Sequence, residues 1–352
     1  MIKVVFVGCG NITNLRHIPA IKSLKRDLIE VLGVIGINQE NVLKSAKLSK
    51  SLNHFVGNIS ELEFPVWISE ADLIIVGTPP QTHLEILQNL LKLNSKANII
   101  VEKPFSLGLQ DAQVDSSVLA NSGRVFVMHN FQFADGFSRV LHWLNSGKIG
   151  EVISVTGFQS STKDRRLPSW HEELPSGLFW DEAVHFFYLL KSFVGDLKVV
   201  DGSAIYKNGL ETPATLTISL IGSQQIPIQI NMNFNAALSE WGLVISGSNG
   251  TILYDLFRDI PIFLPHDGQH LPLNILRTSA TLIIGHLRGF VINGIKYIFG
   301  NLHYGINEVI KRVISLNPDS ASIAPINLAA GIQMVELMDD SVKFFKINST
   351  II

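Results

Sequence analysis

With 352 residues the chain is long enough for two domains, because a single hydrophobic core rarely keeps growing much past ~250 residues. A net charge of −2 leaves no basic field of the kind that draws a protein onto nucleic acid, so nucleic-acid binding is not expected. A lone cysteine, Cys9, rules out an internal disulfide and a cysteine-built zinc site, and it fits a reducing, cytoplasmic setting. Charged residues make up 16%, well below the ~25% usual for a soluble domain, so some apolar surface should be covered by a partner.

Residues 1–7 form an apolar run that meets Gly8-Cys9-Gly10 without a basic leader or a small-residue cleavage site, and they read as a buried first strand. From there to about residue 127, short apolar runs alternate with helical patterns. That is the rhythm of a parallel sheet with helices on both faces. Strands are expected at 4–7, 31–35, 73–76, 98–101 and 124–128, with helices at 11–25, 40–50, 82–93 and 108–121. In the third helix Leu84, Leu87, Leu90 and Leu91 recur at three-to-four-residue spacing, as an amphipathic helix on a sheet requires.

After Met128 the pattern changes, so the domains are expected to be 1–127, a Rossmann-like domain, and 128–352, an α+β domain with a mainly antiparallel open sheet. A helix at 136–145 is followed by strands at 152–158, 198–205, 215–220, 226–234 and 243–245, interrupted by one helix at 180–193. Asn249-Gly250 between two apolar runs predicts a type I′ hairpin. Residues 271–316 interleave apolar and aromatic residues with Gly285, Gly289, Gly294, Gly300 and Gly305, a helical pattern with breaks. Because Arg277, His286, Arg288 and Lys296 interrupt 276–299, no membrane span is expected there.

Gly8-Cys9-Gly10-Asn11-Ile12-Thr13 lies where the first strand turns into a helix, the setting in which glycines admit a pyrophosphate to helix amides. Thr13 stands where the usual third glycine would be. Two further loops end strands on the ligand-binding edge of such a sheet: Gly77-Thr78-Pro79-Pro80-Gln81-Thr82-His83 and Val101-Glu102-Lys103-Pro104-Phe105. In the second half, Asp181 and His185 stand four apart on one helix and therefore share a face. His17 and His83 have no acidic or histidine partner at metal-site spacing, so no metal is expected.

These motifs together resemble the glucose-fructose oxidoreductase / inositol dehydrogenase (Gfo/Idh/MocA) family. The resemblance rests on Gly8, Gly10 and Ile12, on Thr78, Pro79 and His83, and on Glu102, Lys103 and Pro104. Asn130, Gly147 to Gly150, Gly247 to Gly250 and the turn Ser176-Gly177 followed by Asp181 and His185 extend it over about 1–260. It implies an NAD(P)-dependent dehydrogenase or reductase acting on a CH–OH group of a sugar, nucleotide sugar or cyclitol. Lys103, Asp181 and His185 would be catalytic, with His185 taking or returning the hydroxyl proton, Lys103 stabilising the oxygen and Asp181 orienting the sugar. Gly8, Gly10, Asn11, Ile12, Thr13, Gly36, Asn38, Thr78, Pro79, His83, Glu102 and Lys103 would bind cofactor, and Asn130 and Asp181 would bind substrate. The resemblance also implies a cis Lys103-Pro104 peptide. A non-catalytic NAD(P)-binding regulator and a redox-assisted lyase or glycosidase are the competing functions.

Some residues depart from the family pattern. Gly36 stands where many NAD users carry an acid for the ribose hydroxyl, yet no basic residue follows at once to bind a 2′-phosphate, which leaves NAD and NADP open with a slight tilt to NADP. Ala183 replaces a common glycine, and Gln132 replaces an arginine. Lys163, Arg165, Arg166 and Trp170 precede the signature turn. Of these, Lys163, Arg166 and Trp170 are candidate contacts for an anionic substrate, the tryptophan stacking on a ring. A homo-oligomer, dimer or tetramer, is expected, with the open sheet face around 226–234 and the 271–316 stretch against another subunit. The less favoured alternative lays that stretch on a membrane surface with Arg277, Arg288 and Lys296 toward anionic lipid.

Overall fold

The computed structural model describes the chain apart from residues 25–27, 59–64, 95, 110–117, 119–120, 166, 168, 270, 301, 316–323 and 352. Two compact units emerge: Met1–Asn130 with Gly305–Glu336, and Phe131–Tyr304 with Leu337–Ile352. Gly305–Glu336 join the first unit.

In the first unit, six parallel strands run in the order β3-β2-β1-β4-β5-β6. They are β1 (Ile2–Val7), β2 (Ile29–Gly36), β3 (Asn53–Val56), β4 (Leu73–Val76), β5 (Asn98–Val101) and β6 (Val125–Val127). Val4–Val7 and Leu73–Val76 are almost wholly buried, as central parallel strands covered on both faces must be. Strand order reverses between β1 and β4, and the loops opening there are those carrying Gly8, Gly10 and Gly77. Helices α1 (Ile18–Ser23), α2 (Gln39–Ser49) and α3 (His83–Leu93) follow their strands, α1 being entered through a π-helical turn at Thr13–His17. On α3, Ile86, Leu87, Leu90 and Leu91 are buried and Leu84 is half-buried. The helix expected at 108–121 falls mostly outside the described residues.

The second unit is built on an eight-stranded sheet of order β13-β12-β11-β7-β10-β9-β8-β14, in which the β10–β7 and β14–β8 pairs are parallel and the rest antiparallel. Its strands are β7 (Val152–Thr162), β8 (Lys198–Tyr206), β9 (Pro213–Ile221), β10 (Pro227–Ala236), β11 (Glu240–Gly247), β12 (Gly250–Asp255), β13 (Ile260–Pro265) and β14 (Ser349–Ile351). Along β10, Ile228, Ile230, Met232 and Phe234 turn inward while Gln229, Asn231, Asn233 and Asn235 are exposed. The open face on which a subunit contact was expected is therefore polar at this strand.

Helix α4 (Asp135–Asn145) opens the unit, and α5 (Leu178–Val194) supplies its core. Thirteen of the seventeen α5 residues are buried, which is the behaviour of a helix apolar on every side. Phe186 lies over Gly157, where a Cβ would come 2.8 Å from the ring, so β7 can pass this close to the helix only because that residue is glycine.

Two expectations need correction. The β11–β12 hairpin exists, but Gly247 pairs with Gly250 and the turn is Ser248-Asn249, neither of them at positive φ, so it is not type I′. Backbone bonds from Ser248 to the Glu151 carbonyl and from Asn249 to the Ile149 carbonyl hold the turn instead. The 271–316 stretch is not helix with breaks at its first glycines: α6 (Pro272–Ile298) runs unbroken through Gly285, Gly289 and Gly294. It is long and apolar enough to cross a membrane by length and composition. After it come α7 (Ile306–Ile314) and α8 (Leu328–Ile347), and the unit boundary falls within α8.

Candidate functional site

In the first unit, the candidate cofactor loop leaves β1 at positive φ. Gly8 has φ +92°, and a Cβ there would lie 2.6 Å from the Gly77 carbonyl oxygen, so the two loops cross in a space that only glycine leaves open. Thr13 is fully buried, and its hydroxyl donates to the Gly8 carbonyl at 2.6 Å. Its side chain thus braces the loop; any cofactor contact from it is through the backbone. Asn14 donates to the Cys9 carbonyl and accepts from the Ser45 hydroxyl, fastening the turn to α2.

Gly10 differs from Gly8: beyond its own chain neighbours, no atom lies within 4 Å of the position a Cβ would take. The first helical backbone bond runs from Asn14 to the Gly10 carbonyl, leaving the amides of Asn11, Ile12 and Thr13 as the opening turn of the helix. Asn11 and Ile12 are exposed. Open space beside the amides of a helix N-terminus is the cradle a dinucleotide pyrophosphate needs, so these residues fit that cofactor. At the end of β2, Gly36 packs against Val42 and Cys9, and exposed Asn38 caps α2 by accepting the Asn41 amide at 2.9 Å. Residues 37–40 are all exposed, and Glu40 is the only charge among them.

His83 is fully buried between two backbone carbonyls, Thr78 at 2.9 Å from Nε2 and Pro104 at 3.0 Å from Nδ1. Burial pushes its pKa below the ordinary imidazole value, and a neutral ring carries one N–H to give to one of the two. The side chain therefore clamps the β4 and β5 loops together, and Thr78 and half-buried Pro79 are the residues so held. Glu102, also buried, accepts at Oε1 from His17 (2.7 Å) and at Oε2 from the Lys103 amide (3.2 Å), which fixes the backbone carrying half-buried Lys103. The Lys103-Pro104 peptide is cis. Buried Asn130 closes this unit.

In the second unit, the candidate catalytic residues lie on one face of α5. Gly177, at φ +55°, passes so close to Thr212 that a Cβ would meet its backbone at 2.7 Å, and the Thr212 hydroxyl accepts the Leu178 amide to cap the helix. Asp181, half-buried, and His185 and Tyr188, both buried, then follow at i, i+4 and i+7 on one face. His185 is 6% exposed. Its Nδ1 lies 2.6 Å from the Tyr188 hydroxyl, which also accepts the Phe131 amide at 3.2 Å. Phe131 and Trp241 stand edge-on to the imidazole at centroid distances of 5.0 and 5.1 Å. Trp241 Nε1 is buried and, among the described residues, without a hydrogen-bond partner.

Tyr188 and the aromatic walls were not singled out from sequence, although Tyr188 stands three positions after His185. Of the basic loop, Arg165 is tied to buried Glu182 and to Ser161, Glu182 also accepting from Gln159. Lys163 is exposed and Trp170 half-buried, while Arg166 lies outside the described residues. Gln132, in the place of the family arginine, is buried. Among the described residues, no group of His, Cys, Asp and Glu is arranged to hold a metal ion.

A parallel sheet of this order with a glycine turn after β1 defines a Rossmann dinucleotide-binding unit, here joined to an α/β unit with a mostly antiparallel sheet. Residues 2–131 match the model of the oxidoreductase family with NAD-binding Rossmann fold, and residues 137–253 match the GFO/IDH/MocA C-terminal domain. The chain belongs to the Gfo/Idh/MocA family of oxidoreductases. No curated protein matches the sequence.

Solved structures share its fold at low identity. A levoglucosan dehydrogenase in complex with NADH has 15% identity and a TM-score of 0.77, covering 99% of this chain and 98% of the other. A 3-ketoreductase from Actinomadura kijaniata in complex with NADP and TDP-benzene has 16% and 0.74, covering 100% and 98%. A dehydrogenase from Bordetella pertussis in complex with NADH and UDP-GlcNAcA has 19% and 0.73, covering 98% and 96%.

Proposed function

We propose that the protein transfers a hydride between a nicotinamide dinucleotide and a carbinol carbon of a sugar, nucleotide sugar or cyclitol. The observation that carries this reading is His185, a buried imidazole held by Tyr188 and walled by two aromatic rings. The nicotinamide, when bound, accepts or returns the hydride. His185 handles the accompanying proton. With its Nδ1–H donated to the Tyr188 hydroxyl, Nε2 presents the lone pair that takes the alcohol proton, and Tyr188 supports the imidazolium that forms. Lys103 supplies positive charge to the substrate oxygen and Asp181 orients the neighbouring hydroxyls.

Residues 10–13 would hold the pyrophosphate and Gly36 and Asn38 the adenosine ribose, where no carboxylate at position 36 would repel a 2′-phosphate. That feature supports NADP slightly over NAD, and parallel fluorescence titrations with NADH and NADPH decide it. Lys163 and Trp170, beside the signature turn, support an anionic substrate such as a nucleotide sugar. The relatives with bound NADH or NADP and sugar or nucleotide ligands support the same substrate class. Cofactor absorbance, followed across a panel of sugars, cyclitols and nucleotide sugars, tests the reading; turnover that His185→Asn leaves intact would remove the proton-transfer assignment.

A further inference from the structure

Helix α6 is inside out. Its protein-facing stripe is Asn274, Thr278, Thr281, Gly285, Gly289 and Asn293, small or polar residues three or four apart. Gly285 and Gly289 sit on β13 so closely that a Cβ would meet Ile262 at 3.1 Å and Ile260 at 2.6 Å. Asn293 donates to the Arg258 and Asp259 carbonyls at 2.6 and 3.0 Å. The large apolar residues point the other way: Leu276, Ile283, Ile284, Leu287, Phe290 and Ile298 are each at least 60% exposed. A helix on a water-soluble surface carries the opposite arrangement, and this much exposed apolar surface marks an interaction site.

The charges name the partner. Over Pro272–Ile298 there are three cations, Arg277, Arg288 and Lys296, and no acidic residue. Arg277 and Arg288 are eleven positions apart, three turns, so they lie on one flank. On that flank a cavity of about 370 Å³ gathers Arg139 and Lys148 beside Arg288 and Lys296. Its two carboxylates are already engaged, Asp135 by Lys296 and buried Asp259 by the Gly136 amide and the Tyr254 hydroxyl. The opposite flank borders a mostly apolar groove of about 700 Å³ lined by Leu282, Ile283, Leu287 and Phe290, whose two carboxylates, Glu240 and Asp255, are both paired with Arg258. A second copy of α6 would bring three more cations and no acid. Anionic lipid headgroups above acyl chains complement both flanks at once.

The helix is also held on the protein along its length. Asn274 bonds the Asp267 carbonyl near one end and Asn293 bonds residues 258 and 259 near the other, with β13 between. The pinned span is about 28 Å of helix. A helix covered on one side by its own sheet cannot be surrounded by lipid, so it does not span. We propose that α6 is an in-plane docking helix that seats this protein on anionic membrane surfaces, its outer face among the upper acyl chains and the Arg277–Arg288 flank among the phosphates.

The test is sedimentation of the full chain with sucrose-loaded vesicles of phosphatidylcholine, alone or with phosphatidylglycerol, paired with light scattering of the lipid-free protein. Binding should require the anionic lipid and weaken with salt. Arg277→Gln and Arg288→Gln should each weaken it about fivefold. The double variant Leu287→Glu/Val291→Glu, at exposed positions, should abolish it without changing the melting curve. The wild-type comparison of the two vesicle compositions stands even if a variant misfolds. Failure to pellet with anionic vesicles, equal binding to both compositions, or a stable dimer that the double variant dissociates would each overturn the proposal.

Discussion

Gly10→Val separates binding from folding more cleanly than any other change in the first unit. Beyond its own chain neighbours, no atom lies within 4 Å of a Cβ at this position, and its φ is not in the left-handed region, so the valine should be accommodated with a stability change within about 0.5 kcal/mol. The same side chain fills the space over the amides of Asn11, Ile12 and Thr13. Keeping a pyrophosphate from two of these amides forfeits two charge-assisted hydrogen bonds of ~1.5–3 kcal/mol each. The sum, ~3–6 kcal/mol, corresponds to a loss of roughly 10²–10⁴ in affinity. Fluorescence titration with reduced cofactor reads the affinity, and a urea melt reads the stability. Gly8→Val is the contrasting control: its φ of +92° and the Gly77 carbonyl 2.6 Å from the Cβ should cost folding itself. Wild-type affinity in a folded Gly10→Val protein would refute the assignment of the pyrophosphate to this loop.

His185→Asn and Lys103→Met should lower turnover by ~10²–10⁴ and ~10²–10³ respectively while leaving cofactor affinity near normal, as steady-state kinetics beside the same titration will show. Tyr188→Phe removes the acceptor on Nδ1, so the acidic limb of the kcat profile should move to lower pH with turnover reduced about tenfold; an unmoved limb would assign Tyr188 to packing alone. His129 is buried with its pKa lowered to about 4 by burial, its Nδ1 facing the Pro325 carbonyl. Since the unfolded chain takes up that proton near pH 6.5, stability is fully present above that value and is lost as pH falls toward 4, by a few kcal/mol. Urea melts across that window should show the wild type losing stability as pH falls and His129→Asn losing less, the difference being the His129 contribution.

Much of the first unit was legible because buried parallel strands are continuous apolar runs: 73–76 and 98–101 coincide with β4 and β5. β3 was missed because Asn53–Val56 is a short edge strand with alternate residues exposed, too brief for a pattern. The return of Gly305–Glu336 to the first unit could have been suspected from Ile306, Val309, Ile310 and Val313, a helical stripe that is buried. Nothing in its spacing says which sheet it will cover. The catalytic candidates Asp181 and His185 were readable as an i, i+4 pair, but the bond that holds His185 depends on a hydroxyl and two aromatic walls contributed from Phe131, Tyr188 and Trp241, which only folding assembles. Glycines in α6 looked like breaks because propensity disfavours them; Gly285 and Gly289 are there because β13 leaves little room for a side chain, whereas Gly294 faces open space.

The central claim is that this chain moves hydride to and from a carbinol carbon with His185 carrying the proton. Its most direct test is a single-turnover reaction with cofactor deuterated at the transferring position of the nicotinamide, run over the sugar, cyclitol and nucleotide-sugar panel and read by mass spectrometry of the products. The account predicts deuterium on a sugar carbon with wild-type protein and a rate lower by ~10²–10⁴ with His185→Asn. Wild-type protein that binds the cofactor yet delivers no deuterium to any carbonyl of the panel, or delivers it equally fast without His185, would contradict it.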